Sequence, residues 1–129
     1  MPAAASLSIL VVDDQRSMRV LVRESLQTFG VTQITECQDG LEALLALELR
    51  PRNLIISDLN MPKMDGLGLL RAVRGDPAIA KTAFIMLTSR AEANLVQEAV
   101  KLGVNNYLVK PFTMDTLRKK VEAVVGRLT

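Results

Sequence analysis

Four short apolar runs in this chain each stop on a side chain that can do chemistry. Ile9-Leu10-Val11-Val12 runs into Asp13-Asp14, and Leu54-Ile55-Ile56-Ser57 runs into Asp58. Ala83-Phe84-Ile85-Met86-Leu87 runs into Thr88-Ser89, and Tyr107-Leu108-Val109 runs into Lys110-Pro111. Continuous apolar runs of this length, rich in β-branched residues, suit strands of a parallel sheet covered on both faces. One aspartate after such a run is commonly a turn or a cap. Acids, a hydroxyl and an amine ending four separate runs are not explained by turns.

The segments between these runs have helical spacing. Leu7 to Val12 forms the first strand, and Arg16 to Phe29 follows as a helix carrying Met18, Leu21, Val22, Leu26 and Phe29, stopped by Gly30. Its Arg16, Arg19 and Arg23 make a basic stripe, a pattern that is usually a solvated face. A short strand from Gln33 to Glu36 leads through Asp39-Gly40 into a second helix with Leu41, Leu44, Leu45 and Leu49, ending near Pro51. Asn53 to Ser57 is the third strand. Gly66 to Arg74 is the third helix, with Leu67, Leu70 and Val73 inward. Thr82 to Leu87 is the fourth strand and Ala91 to Leu102 the fourth helix, with Leu95 and Leu102 inward and Gly103 ending it. Tyr107 to Val109 is the fifth strand, and Thr113 caps a last helix whose Leu117, Val121, Val124 and Leu128 face inward. Five alternations of strand and helix predict one α/β domain, a doubly wound parallel sheet with helices on both faces.

Composition narrows the chemistry. The 129 residues suffice for one domain with a real core, expected at 7–128 behind a leader at 1–6 with no output domain. No apolar run approaches the roughly 20 residues of a membrane span, and Met1 to Ser8 lacks the pattern of a signal peptide. A lone Cys37 fits a reducing cytoplasm, and a net charge of +2 gives no reason to expect nucleic acid. The chain has no histidine, which excludes histidine-ligated metal chemistry, Ser-His catalysis and a self-supplied phosphohistidine.

Right-handed crossovers bring the carboxyl ends of all parallel strands to one edge of the sheet. Asp13, Asp14, Asp58, Thr88 and Lys110 therefore converge, although they lie far apart in sequence. Clustered carboxylates repel one another unless a cation joins them or a proton stays. An all-oxygen set suits Mg²⁺, which takes few carboxylates and keeps waters and phosphate oxygens. A carboxylate can also act as a nucleophile and accept a phosphoryl group, with the metal and the Lys110 ammonium neutralising its oxygens.

The motifs Val12-Asp13-Asp14, Ser57-Asp58-Leu59-Asn60-Met61-Pro62, Met64-Asp65-Gly66, Thr88 and Lys110-Pro111-Phe112 together resemble a response-regulator receiver domain of the single-domain chemotaxis type. Asn60, Tyr107 and Phe112-Thr113 extend the likeness over nearly the whole chain. The resemblance implies a flavodoxin-like five-stranded sheet of order 2-1-3-4-5 with five helices. It implies Asp58 as phosphoacceptor, with Asp13, Asp14, Asp58 and the Asn60 main-chain carbonyl around Mg²⁺. Lys110 would bind the phosphoryl group, its bond to Pro111 would be cis, and Thr88 with Tyr107 would form a switch pair. A histidine kinase or histidine phosphotransfer protein would supply the phosphoryl group, and a monomeric, cytoplasmic protein would signal to a downstream protein such as the flagellar switch. Such a domain is not an enzyme beyond its own aspartyl phosphorylation and dephosphorylation.

On the output side, Val96, Val100, Tyr107 and Val109 are expected to form an apolar patch bordered by Lys119 or Lys120. Three positions depart from the related pattern: Arg90 replaces an acid, Ala93 a lysine and Leu59 a tryptophan. Arg90 is expected to border Asp58 and obstruct water. Other readings stay open. A stand-alone receiver could act as a phosphorelay shuttle or phosphate sink. An aspartate-nucleophile phosphohydrolase would want two aspartates two positions apart and a cap domain. A flavodoxin-like nucleotide carrier would want a Gly-rich phosphate loop after the first strand.

Overall fold

The computed structural model describes residues 3–129. Five strands, β1 (Ser8–Val12), β2 (Gln33–Cys37), β3 (Leu54–Asp58), β4 (Ala83–Thr88) and β5 (Asn106–Val109), alternate with five helices. These are α1 (Arg16–Thr28), α2 (Gly40–Leu49), α3 (Gly66–Gly75), α4 (Ala93–Lys101) and α5 (Met114–Val125), with short 3₁₀ turns at Ala4–Ser6 and Arg90–Glu92. All strand pairs are parallel, in the order β2-β1-β3-β4-β5. This is the flavodoxin-like order, and it sets β1 and β3 side by side at the centre.

Alternation along the strands divides the core in two. Ile9, Val11, Leu54, Ile56, Ile85 and Leu87 point to one face, where α1 and α5 cover them with Val22, Leu26, Leu117 and Val121. Leu10, Val12, Ile55, Phe84 and Met86 point to the other, under Ala43, Leu47, Leu69, Leu70, Val73 and Ala99 of α2, α3 and α4. Most of these side chains are fully buried, and each contributes about 1.5–3 kcal/mol relative to exposure. Gly30 and Gly103, with φ of 95° and 93°, let α1 and α4 end in left-handed turns that a side chain would strain.

Several expectations are corrected. Asp58 and Thr88 are the last residues of β3 and β4 rather than the first residues after them. The fourth helix opens with a 3₁₀ turn, because Ser89 and Glu92 form a reciprocal capping box around it. Leu95 is not inward: it is 36% exposed, and Ala99 is the residue of α4 that packs into the core. On α2, Ala43 and Leu47 face the sheet, whereas Leu41, Leu45 and Leu49 are exposed. Of the leader, Met1 and Pro2 lie outside the described residues. Ala4 is buried against the core and its amide donates to the Thr129 carbonyl at 3.1 Å.

Candidate functional site

Asp58 reaches the sheet edge because β3 is fully buried along its length and then gives way to a loop. Gly66, at the start of α3, lets that helix approach closely: a Cβ there would lie 2.4 Å from the Asp58 carbonyl oxygen. Asp13 leaves β1, the neighbouring strand, and is fully buried. Its Oδ1 accepts from the Gln15 amide at 2.9 Å, which holds the β1–α1 turn. Carboxylate oxygens of Asp13, Asp14 and Asp58 lie within 4.8 Å of one another, with Asp14 exposed toward solvent. Lys110 closes the group, its Nζ 2.7 Å from Asp58 Oδ1 and 3.4 Å from Asp13 Oδ2. The Lys110–Pro111 peptide bond is cis.

Charge and burial oppose each other here. Burial pushes the Asp58 carboxyl above its ordinary range, and the Lys110 hydrogen bond offsets part of that rise. Burial also raises Asp13, reinforced by the Asp58 charge and opposed by the Gln15 amide and Lys110. For Lys110 burial acts downward, but the hydrogen bond to Asp58 and the charge of Asp13 outweigh it, so its pKa lies above the ordinary value. Among the described residues, the Lys110 ammonium thus stands against three carboxylates. Hard oxygen donors in excess negative charge, one of them open to solvent, fit a divalent cation with room for water and a further oxygen ligand.

Thr88 is buried, and among the described residues its Oγ1 has no hydrogen-bond partner. Tyr107, on the neighbouring β5, is 39% exposed, with the Lys120 Nζ 5.4 Å from its ring centroid. Thr88, Arg90, Val96, Tyr107 and Val109 line one open groove of about 460 Å³ between α4 and β5. Val100 is 58% exposed and lies outside that lining, and Lys119 pairs instead with Asp115 at 3.1 Å. Asn60 is exposed in the loop two residues past Asp58.

Two features escaped the sequence reading. The basic stripe is not simply solvated: Arg19 Nη1 donates to the Asp13 carbonyl at 2.6 Å and its Nε lies 3.4 Å from Glu36, which also binds Arg23. The helical spacing of the arginines was visible, but their partner on β2 was not. Second, the charge of Glu92 in the β4–α4 segment acts on Asp58, adding to the rise of its carboxyl. The Glu92 carboxylate accepts from the Ser89 amide at 2.8 Å, which places an acid two residues beyond Arg90. Cys37 is buried at the end of β2, and its thiol is pushed up to about 11, by burial and then by Glu42. It therefore stays protonated and is a poor nucleophile.

The model of the response regulator receiver domain matches residues 9–122, from β1 into α5. The chain belongs to the response regulator receiver domain family. It is 45% identical over 128 residues to a probable chemotaxis protein CheY of Rhizobium etli, covering 99% of each chain. Among solved structures it resembles the chemotaxis response regulator CheY4 of Vibrio cholerae, with a TM-score of 0.83 and 36% identity over 90% of this chain and 96% of that one. It also resembles the receiver domain of a sensor histidine kinase from Pseudomonas aeruginosa, with a TM-score of 0.84 and 26% identity over 94% and 98% of the two chains. That structure carries a magnesium ion coordinated in the active site cleft. The chain is thus a receiver domain homologous to chemotaxis response regulators, and a phosphorylation-switched role in two-component signalling fits it. Among the described residues, no helix is long and apolar enough to cross a membrane.

Proposed function

We propose that Asp58 accepts a phosphoryl group from a histidine kinase or phosphotransfer protein, and that the phosphorylated domain signals by binding a protein target in chemotaxis. The carrying observation is the Asp58 carboxylate, set among Asp13, Asp14 and Lys110 at the end of a buried strand. Asp13, Asp14, Asp58 and the Asn60 main-chain carbonyl would hold Mg²⁺, which would supply charge neutralisation for the phosphoryl oxygens. The Asp58 oxygen attacks phosphorus as the phosphorus–nitrogen bond to the donor imidazole breaks. Lys110 then turns from the carboxylate toward the incoming phosphoryl oxygens, an ammonium being a compact charge on a flexible stem.

The Thr88 hydroxyl, without a partner among the described residues, gains a phosphoryl acceptor, and its movement frees space for the exposed Tyr107 ring. Because both residues line the α4–β5 groove, occupancy of Asp58 changes that surface. The 45% identity to a probable chemotaxis protein supports the chemotaxis setting. Beryllofluoride, a phosphoryl mimic, tests the reading through backbone and methyl NMR shifts. With Mg²⁺ present, the signals of Thr88, Val96, Tyr107 and Val109 are expected to move. If these signals stay fixed while Asp58 is occupied, the groove is not the output.

A further inference from the structure

Outside the phosphoacceptor site, α2 exposes an apolar face. Its side chains Leu41, Leu45 and Leu49 stand 46%, 62% and 88% exposed. Spaced four apart, they form one continuous stripe, and it runs along the side of α2 opposite Ala43 and Leu47, which are buried on the sheet. Scattered exposed leucines need no explanation, but three in a row on one helix face make a contiguous apolar patch. The fold does not need them: removing them from water is not what holds α2 down.

The borders of the stripe are acidic. Helical spacing puts Glu42 on one flank and Glu48 on the other, both exposed, and the helix Gly40–Leu49 contains no lysine or arginine. On the Glu48 side the stripe meets an open groove of about 470 Å³ between α2 and α3, lined by Leu44, Leu47, Ala72 and Ile79 together with the acids Glu48 and Asp76. We propose that this α2 face is a docking site for a basic amphipathic helix of another protein, its apolar residues against Leu41, Leu45 and Leu49 and its lysines or arginines against Glu42, Glu48 and Asp76. Helix-in-groove recognition uses this pairing of an apolar seam with flanking charge. A second copy of the chain fits less well. Two α2 helices packed antiparallel about a two-fold axis bring Glu42 alongside Glu42 and Glu48 alongside Glu48, four carboxylates with no cation from either helix.

The position adds something to signalling. α2 packs on α3, β1 and β2, at the edge of the sheet away from β5. A partner held there leaves the α4–β5 groove open, so a receiver domain could be localised by one protein while it signals to another.

Selection of peptides from a random display library on the immobilised full chain, without phosphoryl mimic, tests the proposal. The enriched peptides should carry apolar residues at helical spacing, flanked by lysine or arginine. They should bind the Leu45→Gln/Leu49→Gln variant at least about ten-fold more weakly, and Glu42→Gln/Glu48→Gln should also weaken them. Higher ionic strength should weaken them as well. Circular dichroism should show both exposed-site variants folded as wild type. Enrichment of nothing, of peptides without basic flanks, or of peptides that bind the leucine variant equally would overturn the proposal. So would sedimentation of the wild type as a dimer that the leucine variant dissolves, since the seam would then belong to a second copy.

Discussion

Asp13 and Asp58 are held in the fold at some cost, because burial opposes their charge, and the charges of Asp58 on Asp13 and of Glu92 on Asp58 add to it. Their carboxyl groups take up protons more readily in the folded than in the unfolded chain. Between the ordinary carboxylate value and the raised folded value, the folded state binds more protons, so stability contributed by these groups rises as pH falls through that window. Lys110, also raised, contributes its share fully below the ordinary lysine value and loses it only as pH climbs through the folded one. In a chelator at neutral pH, Asp13→Asn should therefore be more stable than wild type by about 1–2 kcal/mol, an advantage that shrinks toward acid pH. Urea midpoints at two pH values measure it, and a variant weaker at both would remove the crowding. Thr88 carries a related cost, since its buried hydroxyl has no partner among the described residues. Thr88→Val should leave the metal-free protein as stable or up to about 1 kcal/mol more stable, while its Tyr107 signals lose most of their response to beryllofluoride. An unchanged response would take Thr88 out of the switch.

Among the elements, the junction of β3 and α3 is the tightest. A methyl on Gly66 would meet the Asp58 carbonyl oxygen at 2.4 Å and the Met86 sulfur at 2.7 Å, whereas one on Gly75 would meet nothing within 4 Å. Gly66→Ala should destabilise by about 1–3 kcal/mol through overpacking and disturb Asp58 with it. Gly75→Ala, in the same helix, should be neutral or stabilising by about 0.5–1 kcal/mol, and denaturant titration separates the two. Strands β1, β3 and β4 were legible in sequence because both faces are buried, so each reads as an almost unbroken apolar run, whereas the edge strand β2 is mixed and largely half-buried. Helices α1, α3 and α5 were legible from their polar faces. In contrast, α2 is leucine-rich all round, and its spacing could not say that the small Ala43 sits on the sheet while Leu45 faces out. The inward placement of Leu95 failed for a different reason: it shares a face with Ala99 but lies in the first turn of α4, where the face is still open, and only Ala99 is buried.

At the scale of the whole molecule, the order β2-β1-β3-β4-β5 brings acids from β1 and β3 next to one another and the lysine after β5 across to them. The convergence on one edge followed from crossover handedness alone, whereas the strand order came with the family resemblance. The Arg19–Glu36 pair beneath the β1–α1 turn was hidden for a related reason, since only the folded sheet brings β2 beside that turn. A cation that binds the folded acids and not the unfolded chain stabilises by mass action. Mg²⁺ should accordingly raise the melting temperature, and Asp13→Asn or Asp14→Asn should reduce the rise; an equal rise in both variants would place the metal elsewhere. The nucleophilic role of Asp58 is tested most directly by incubating the protein with acetyl phosphate and Mg²⁺, then mapping the modified peptide by mass spectrometry. A single acid-stable, hydroxylamine-labile phosphoryl group on Asp58, absent when Mg²⁺ is chelated and in Asp58→Asn, is the predicted result. Undiminished labelling of Asp58→Asn, or a phosphoryl group mapped to another residue of the wild type, would contradict it.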